Sequence, residues 1–191
     1  MVKVFDIPGL QKRLLPEALL STPGRPDSPE AAVAIMVDPS YGEGAILFIR
    51  RTEREGDPWS GQIAFPGGHR GPNDHDLRET AVREAREEVG IDLHDHEYLG
   101  LLPQMRARTR QTLVAPFIFQ LKTHVKIRLN EEVAESFWAS LSDLAAIEVT
   151  KSEVYTQHRK LMVNSYVYQT HVIWGLTFRI INTLLNRETV E

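Results

Sequence analysis

Phe65-Pro66-Gly67-Gly68-His69, followed after a short polar loop by Asp76-Leu77-Arg78-Glu79-Thr80-Ala81-Val82-Arg83-Glu84-Ala85-Arg86-Glu87-Glu88-Val89-Gly90-Ile91, sets a glycine-rich turn ahead of a helix. Leu77, Ala81, Ala85 and Val89 recur every fourth residue, which gives that helix an apolar stripe for docking on a core. Glu84, Glu87 and Glu88 are separated by three and four residues and share another face. Asp76 and Glu79 have capping-box spacing, with Asp76 accepting from a free backbone N–H and Glu79 reaching back toward the helix start. Gly90 is a natural stop.

Three neighbouring carboxylates repel one another, and a like-charge pair at i,i+4 such as Glu84 and Glu88 costs roughly 0.2–0.5 kcal/mol even when exposed. Arg83 and Arg86 offset part of this. A divalent cation offsets more, because hard Mg2+ takes oxygen ligands. Taken without their surroundings, the same glutamates also describe a solvated, salt-bridged helix face.

The flanking chain supplies strands. Ala31 to Val37 and Ala45 to Arg50 bracket the turn glycines Gly42 and Gly44, which predicts a hairpin. Arg51 to Ser60 is a polar loop, and Gly61 to Phe65 alternates as a strand entering the glycine turn. Beyond the helix, Tyr98 to Leu102, Leu113 to Gln120, Phe137 to Ser140 and Val163 to Tyr168 are predicted strands, with Pro116 demanding an edge position, a bulge or a break. Helical segments are predicted at Leu10 to Leu20, Ser142 to Ala146 and Val172 to Leu185, the last from Ile173, Leu176, Ile180 and Leu184. The pattern describes an α/β chain with a mixed sheet between helices. No linker or repeat divides it, so residues 1–191 are expected to form one domain, with 1–30 as an N-terminal extension.

Composition narrows the chemistry. A chain of 191 residues can bury a sizeable core, and the absence of cysteine excludes disulfides, thiolate catalysis and cysteine-held zinc. Met1 to Asp6 does not begin a signal peptide, and no run reaches the length of a membrane span, so a cytoplasmic protein is expected. A net charge of -4 gives no global reason to bind nucleic acid. Local cation sets remain: Arg106, Arg108 and Arg110 can meet phosphate from a loop or share one face of a strand, or form a solvated basic edge. Trp59 can cover a pocket or pack within its loop, Trp138 and Trp174 are expected to be structural, and His69 can contact a ligand. The histidine spacing describes no transition-metal cage.

Together, Phe65-Pro66-Gly67-Gly68 and Arg83-Glu84 through Glu87-Glu88-Val89-Gly90-Ile91 resemble the signature of the Nudix hydrolase family. The closing half matches at every fixed position. In the opening half Gly68 lies one residue farther from Arg83 than the commonest spacing, and Asp74 stands where the family usually carries a loop glutamate. The resemblance implies an α/β/α sandwich and metal-dependent hydrolysis, with Mg2+ or Mn2+, of a small nucleoside diphosphate derivative. It casts Glu84, Glu87 and Glu88 as metal ligands, joined by the Gly68 carbonyl and by Glu132 from Glu131-Glu132-Val133, whose other reading is a solvated strand start. Arg83 orients a ligand carboxylate. The base is Glu88 first and Glu84 next, or an acid from a later loop.

Leu47-Phe48-Ile49-Arg50-Arg51-Thr52 leading to Gly61 and Phe65-Pro66-Gly67-Gly68 resembles the coenzyme A pyrophosphatase branch, with Arg51 as a substrate-binding residue. Gly56 stands near an expected arginine, with Arg54 close by, and the gap to Gly61 is one residue long. ADP-ribose, NADH and nucleoside triphosphates are the alternative substrates, and a non-catalytic nucleotide-binding module is the alternative class. A homodimer through the terminal helix and packing of that helix within one chain are both open.

Overall fold

The computed structural model describes residues 7–16, 29–57, 59–107, 112–156 and 159–187. Strands β1 (Ala31–Asp38) and β2 (Ala45–Arg51) form the expected antiparallel hairpin, but only Val37 with Ile46 and Asp38 with Ala45 pair across it. Below that point the strands part like a fork, and residues 63–69 fill the opening. There β3 (Ile63–Ala64) pairs with Arg50 and Ile49 of β2, while β4 (Gly67–His69) pairs with Ala31, Ala32 and Val33 of β1. Pro66 bridges the two pieces, its carbonyl accepting the Ala34 N–H at 2.8 Å.

The expected glycine turn is therefore a strand. Its glycines answer a demand for space: a Cβ on Gly67 would lie 2.3 Å from the Ala32 carbonyl oxygen, and one on Gly68 would lie 2.4 Å from Glu84 Oε1. The chain turns later, where Asp74 accepts the Gly71 N–H at 2.7 Å, before helix α2 (Leu77–Val89).

On the far side of β1, β7 (Leu113–Gln120) runs parallel to it and carries β5 (Glu97–Leu101) and β6 (Met105–Arg106), while β8 (Val133–Ser140) lines the outer edge of β2. The result is an eight-stranded mixed sheet. Pro116 lies inside this sheet rather than at its edge. Its carbonyl accepts from Leu102 N–H at 3.0 Å, so its missing N–H faces the break between β5 and β6.

Period-two alternation divides the core. Ala32, Ala34, Met36, Leu47 and Ile49 face Leu77, Ala81, Ala85 and Val89 of α2, all buried. Ile35, Val37, Ile46 and Phe48 face the other way, onto Leu141 and Leu144 of α3 (Leu141–Ala146) and Phe178, Ile181 and Leu184 of α4 (Gly175–Leu184). This is the α/β/α sandwich.

Two helical expectations change. His171–Trp174 is a strand, β11, which pairs with β10 (Lys160–Tyr168), and β10 in turn pairs with β9 (Thr150–Tyr155), making a second, antiparallel sheet. The tight turn at Gln169, with φ 53, folds Val172 and Ile173 back on β10, and α4 starts only at Gly175. At the N-terminus, α1 (Ile7–Gln11) buries Leu10, but Leu15 then forms an antiparallel bridge to Leu101 instead of continuing the helix. The remainder of that expected helix, past Pro16, lies outside the described residues. Among the described residues no helix is long and apolar enough to cross a membrane.

Candidate active site

Helix α2 presents its acidic face to β4 because both of its ends and its apolar stripe are fixed. Asp76 accepts the Glu79 N–H at 2.9 Å, and Gly90 closes the helix in the left-handed conformation. Glu79 does only half of what its spacing predicts, since its carboxylate lies 3.4 Å from His94 Nε2. With Ala81 and Ala85 fully buried against the sheet, Glu84 and Glu88 are carried inward and Glu87 toward solvent.

Glu88 is 2 % exposed. One carboxylate oxygen accepts the Gly67 N–H at 3.0 Å and the other stands 3.8 Å from Arg51 Nη1. Burial pushes its acid up to about 8, with Glu84 and Glu132 adding to the rise and with Gly67 and Arg51 opposing it. Glu84, beside Gly68, is likewise raised by burial and by the charges of Glu87 and Glu132, against the pull of Arg83.

Arg83 ties the cluster together. Its Nη1 lies 2.9 Å from both Glu84 and Glu87, its Nε and Nη2 bind Asp74 at 2.9 and 3.1 Å, and Nη2 also donates to the His69 carbonyl at 3.0 Å. Burial works to raise the Asp74 acid, but hydrogen bonds from Arg83, Gly71 and Thr80 prevail and hold it at about 2. Asp74 is thus the residue that orients Arg83.

From the other side of the fork, Arg51 is anchored by Asp57 at 3.2 Å, and its Nε is buried without a hydrogen-bond partner. Glu132 is half-exposed, its carboxylate 3.7 Å from Arg54 Nη1, and its backbone carbonyl accepts the Thr52 N–H at 2.9 Å. The fold therefore gathers Arg51, Gly68, Arg83, Glu84, Glu87, Glu88 and Glu132. Arg106 stands on β6, with its carbonyl bound by Arg179, and Arg108 and Arg110 lie outside the described residues. Sequence reasoning missed Asp57, whose side chain also accepts the Trp59 N–H at 3.0 Å. Nothing in its spacing signals that it steers Arg51.

Among the described residues no three histidine or acidic side chains stand in a ready-made metal-holding group. The cause is visible: Arg83 occupies Glu84 and Glu87, while Gly67 and Arg51 occupy Glu88. The donors themselves, crowded hard oxygens with the acids of Glu84 and Glu88 raised by burial and by neighbouring carboxylates, fit a hard divalent cation.

A mixed sheet between helices, carrying the Arg83-to-Ile91 helix against a glycine strand, defines a Nudix fold. The sequence pattern of the NUDIX domain matches residues 28–162, and the chain belongs to that family. It is 37 % identical over 136 residues to an uncharacterized Nudix hydrolase, NudL, of Photorhabdus laumondii, covering 69 % of this chain and 71 % of the relative. It is 31 % identical over 175 residues to the mitochondrial coenzyme A diphosphatase NUDT8 of Mus musculus, covering 84 % of this chain and 80 % of the relative. Among solved structures, an Ap4A hydrolase of C. elegans superposes with a TM-score of 0.52 at 19 % identity, covering 60 % of this chain and 82 % of the other, a likeness of fold. The chain is a Nudix-type pyrophosphohydrolase acting on a nucleotide-derived substrate.

Proposed function

We propose that this protein uses Mg2+ or Mn2+ to hydrolyse the diphosphate linkage of a nucleoside diphosphate derivative, with coenzyme A as its first substrate. The observation that carries the metal-dependent chemistry is the burial of Glu84 and Glu88 together beside Gly67 and Gly68, where their acids are raised. Coenzyme A is supported by the Arg51-Thr52 to Gly61 pattern and by the likeness to coenzyme A diphosphatases over most of the chain.

Glu84, Glu87, Glu88, Glu132 and the Gly68 carbonyl would hold the cation, which supplies charge neutralisation and an acidified water when bound. Glu88 would be the residue that accepts a proton from the attacking water. Gly67 N–H fixes one of its oxygens and leaves the other turned toward Arg51. Arg83 positions Glu84 and Glu87 and is itself held by Asp74. Arg51, steered by Asp57, offers its guanidinium to a phosphate oxygen. Phosphoryl chemistry of this kind needs positioning and charge rather than a covalent nucleophile.

The test is product identification by mass spectrometry after incubation with Mg2+ or Mn2+ and, separately, coenzyme A, ADP-ribose, NADH and nucleoside triphosphates. The expected result is preferential conversion of coenzyme A to 4'-phosphopantetheine and adenosine 3',5'-bisphosphate. Cleavage of another compound with coenzyme A left intact would discard that substrate and keep the chemistry. Tight nucleotide binding with no product under either metal would identify a non-catalytic module.

A further inference from the structure

Strand β2 sends its last two side chains to different places. Arg51, past a shift in register, reaches Glu88, whereas Arg50 follows Phe48 onto the face opposite α2. There it borders a cleft of about 250 Å³ between β3 and β11, lined also by Val154 and Tyr155 of β9. The carboxylate site and this cleft thus draw on adjacent arginines, one on each face of the sheet.

The cleft contains an unanswered hydrogen-bonding group. His171 lines it, its ring stacked on Phe137 with centroids 3.9 Å apart and its Nε2 3.3 Å from Glu135 Oε1. The other Glu135 oxygen takes Arg50 Nε at 3.1 Å, so this carboxylate is charged and acts as an acceptor. Nε2 must then carry a proton toward that carboxylate, which leaves Nδ1 as the ring nitrogen open to another partner. Nδ1 is buried and has no hydrogen-bond partner. Interior polar atoms without partners are uncommon and call for an explanation. Trp174 adds a flat apolar wall, and Tyr155, 75 % exposed, stands at the margin.

We infer that this cleft is the recognition site for an organic arm of the substrate, one that presents a hydrogen-bonding group to His171 Nδ1 and a flat or apolar surface to Trp174 and Tyr155. The inference rests on the hydrolase reading, in which the diphosphate lies at Glu84 and Glu88, on the other side of Arg50 and Arg51. Two chemical sources supply such an arm: a purine with its exocyclic amine, and a chain bearing amides.

Nuclear magnetic resonance of the full chain with 15N-labelled histidine distinguishes them, using adenosine 3',5'-bisphosphate and 4'-phosphopantetheine as separate probes without metal. One of the two is expected to move the Nδ1 resonance of His171, and so to identify the arm. Its affinity should fall about tenfold, the worth of one good hydrogen bond or ring contact, in His171→Phe, which keeps the stack and removes both ring nitrogens. The same loss is expected in Tyr155→Ala, where the exposed ring is dispensable to the fold, and KM for coenzyme A should rise in parallel. No response of His171 to either probe, with unchanged affinities in Tyr155→Ala, would overturn the inference even if coenzyme A is cleaved. Response of His171 to a probe without cleavage of any diphosphate would count against the hydrolase reading and leave the cleft as a binding site.

Discussion

At Glu88 burial and charge act against each other, and pH decides the balance. In the unfolded chain its carboxyl group gives up its proton near 4.5, whereas in the metal-free folded chain burial keeps the proton until about 8. Between those values the folded state binds more protons, so stability falls as pH rises. Thermal unfolding of the metal-free protein should therefore move to lower temperature from pH 5 to pH 8, and Glu88→Gln, which cannot ionise, should flatten that slope. A slope unchanged by Glu88→Gln would remove Glu88 as its cause. The same substitution should lower turnover by about 10²–10⁴-fold, the usual worth of a positioned acid or base. The triad itself is legible in sequence, because helical period alone puts Glu84, Glu87 and Glu88 on one face. The Arg51–Glu88 approach at 3.8 Å is not legible, since the partners lie 37 positions apart and only the fork between β1 and β2 brings them together.

At the scale of elements, the glycine pair couples that fork to the helix. Gly67 touches backbone: a Cβ there would meet the Ala32 carbonyl at 2.3 Å and Val33 Cα at 2.7 Å, neither of which can swing away. Gly68 touches the end of a side chain, with Glu84 Oε1 at 2.4 Å and its carboxyl carbon at 2.7 Å. The two alanine substitutions should therefore separate. Gly67→Ala should cost about 1–3 kcal/mol in chemical denaturation, as overpacking of a core does. Gly68→Ala should unfold near the wild-type midpoint but lose most of its turnover, because Glu84 is displaced. Equal loss of stability in both would show that Glu84 cannot yield. Sequence marks these glycines but not their reason, as Gly-Gly reads equally as a turn or as a close approach. A similar ambiguity placed Val172 to Trp174 in the last helix. Its apolar spacing is compatible with a strand followed by a helix, and the choice is made by pairing of Val167 with Val172 in β10 and β11. Strand β9 gave no signal, having Val154 as its one buried residue.

Across the whole molecule, the two cores meet at a sheet whose one face carries the acidic helix and whose other face carries α3, α4 and the small sheet. The continuous apolar runs of β1 and β2 suit strands covered on both faces, but which residue faces which layer is fixed only by pairing, and the second sheet needs contacts that no local period records. The carboxylates are the place where this architecture is left electrostatically incomplete. Arg83 compensates Glu84 and Glu87 but remains tethered to Asp74, so it can relinquish them without being left unpaired. A cation binding the folded state alone stabilises it by about 2.7 kcal/mol at one hundred times its dissociation constant. For a chain of this size that corresponds to a rise in Tm of about 5–10 °C. The rise is expected with Mg2+ or Mn2+ at pH 8, where Glu88 gives up its proton most readily, and should shrink toward pH 5, where the cation must displace that proton. Excess chelator should reverse it. Glu84→Gln and Glu88→Gln should each abolish most of it, whereas a lysine-for-arginine change at the exposed Arg86 should leave it intact. A metal-induced rise of equal size in both glutamine variants would place the cation elsewhere on the protein.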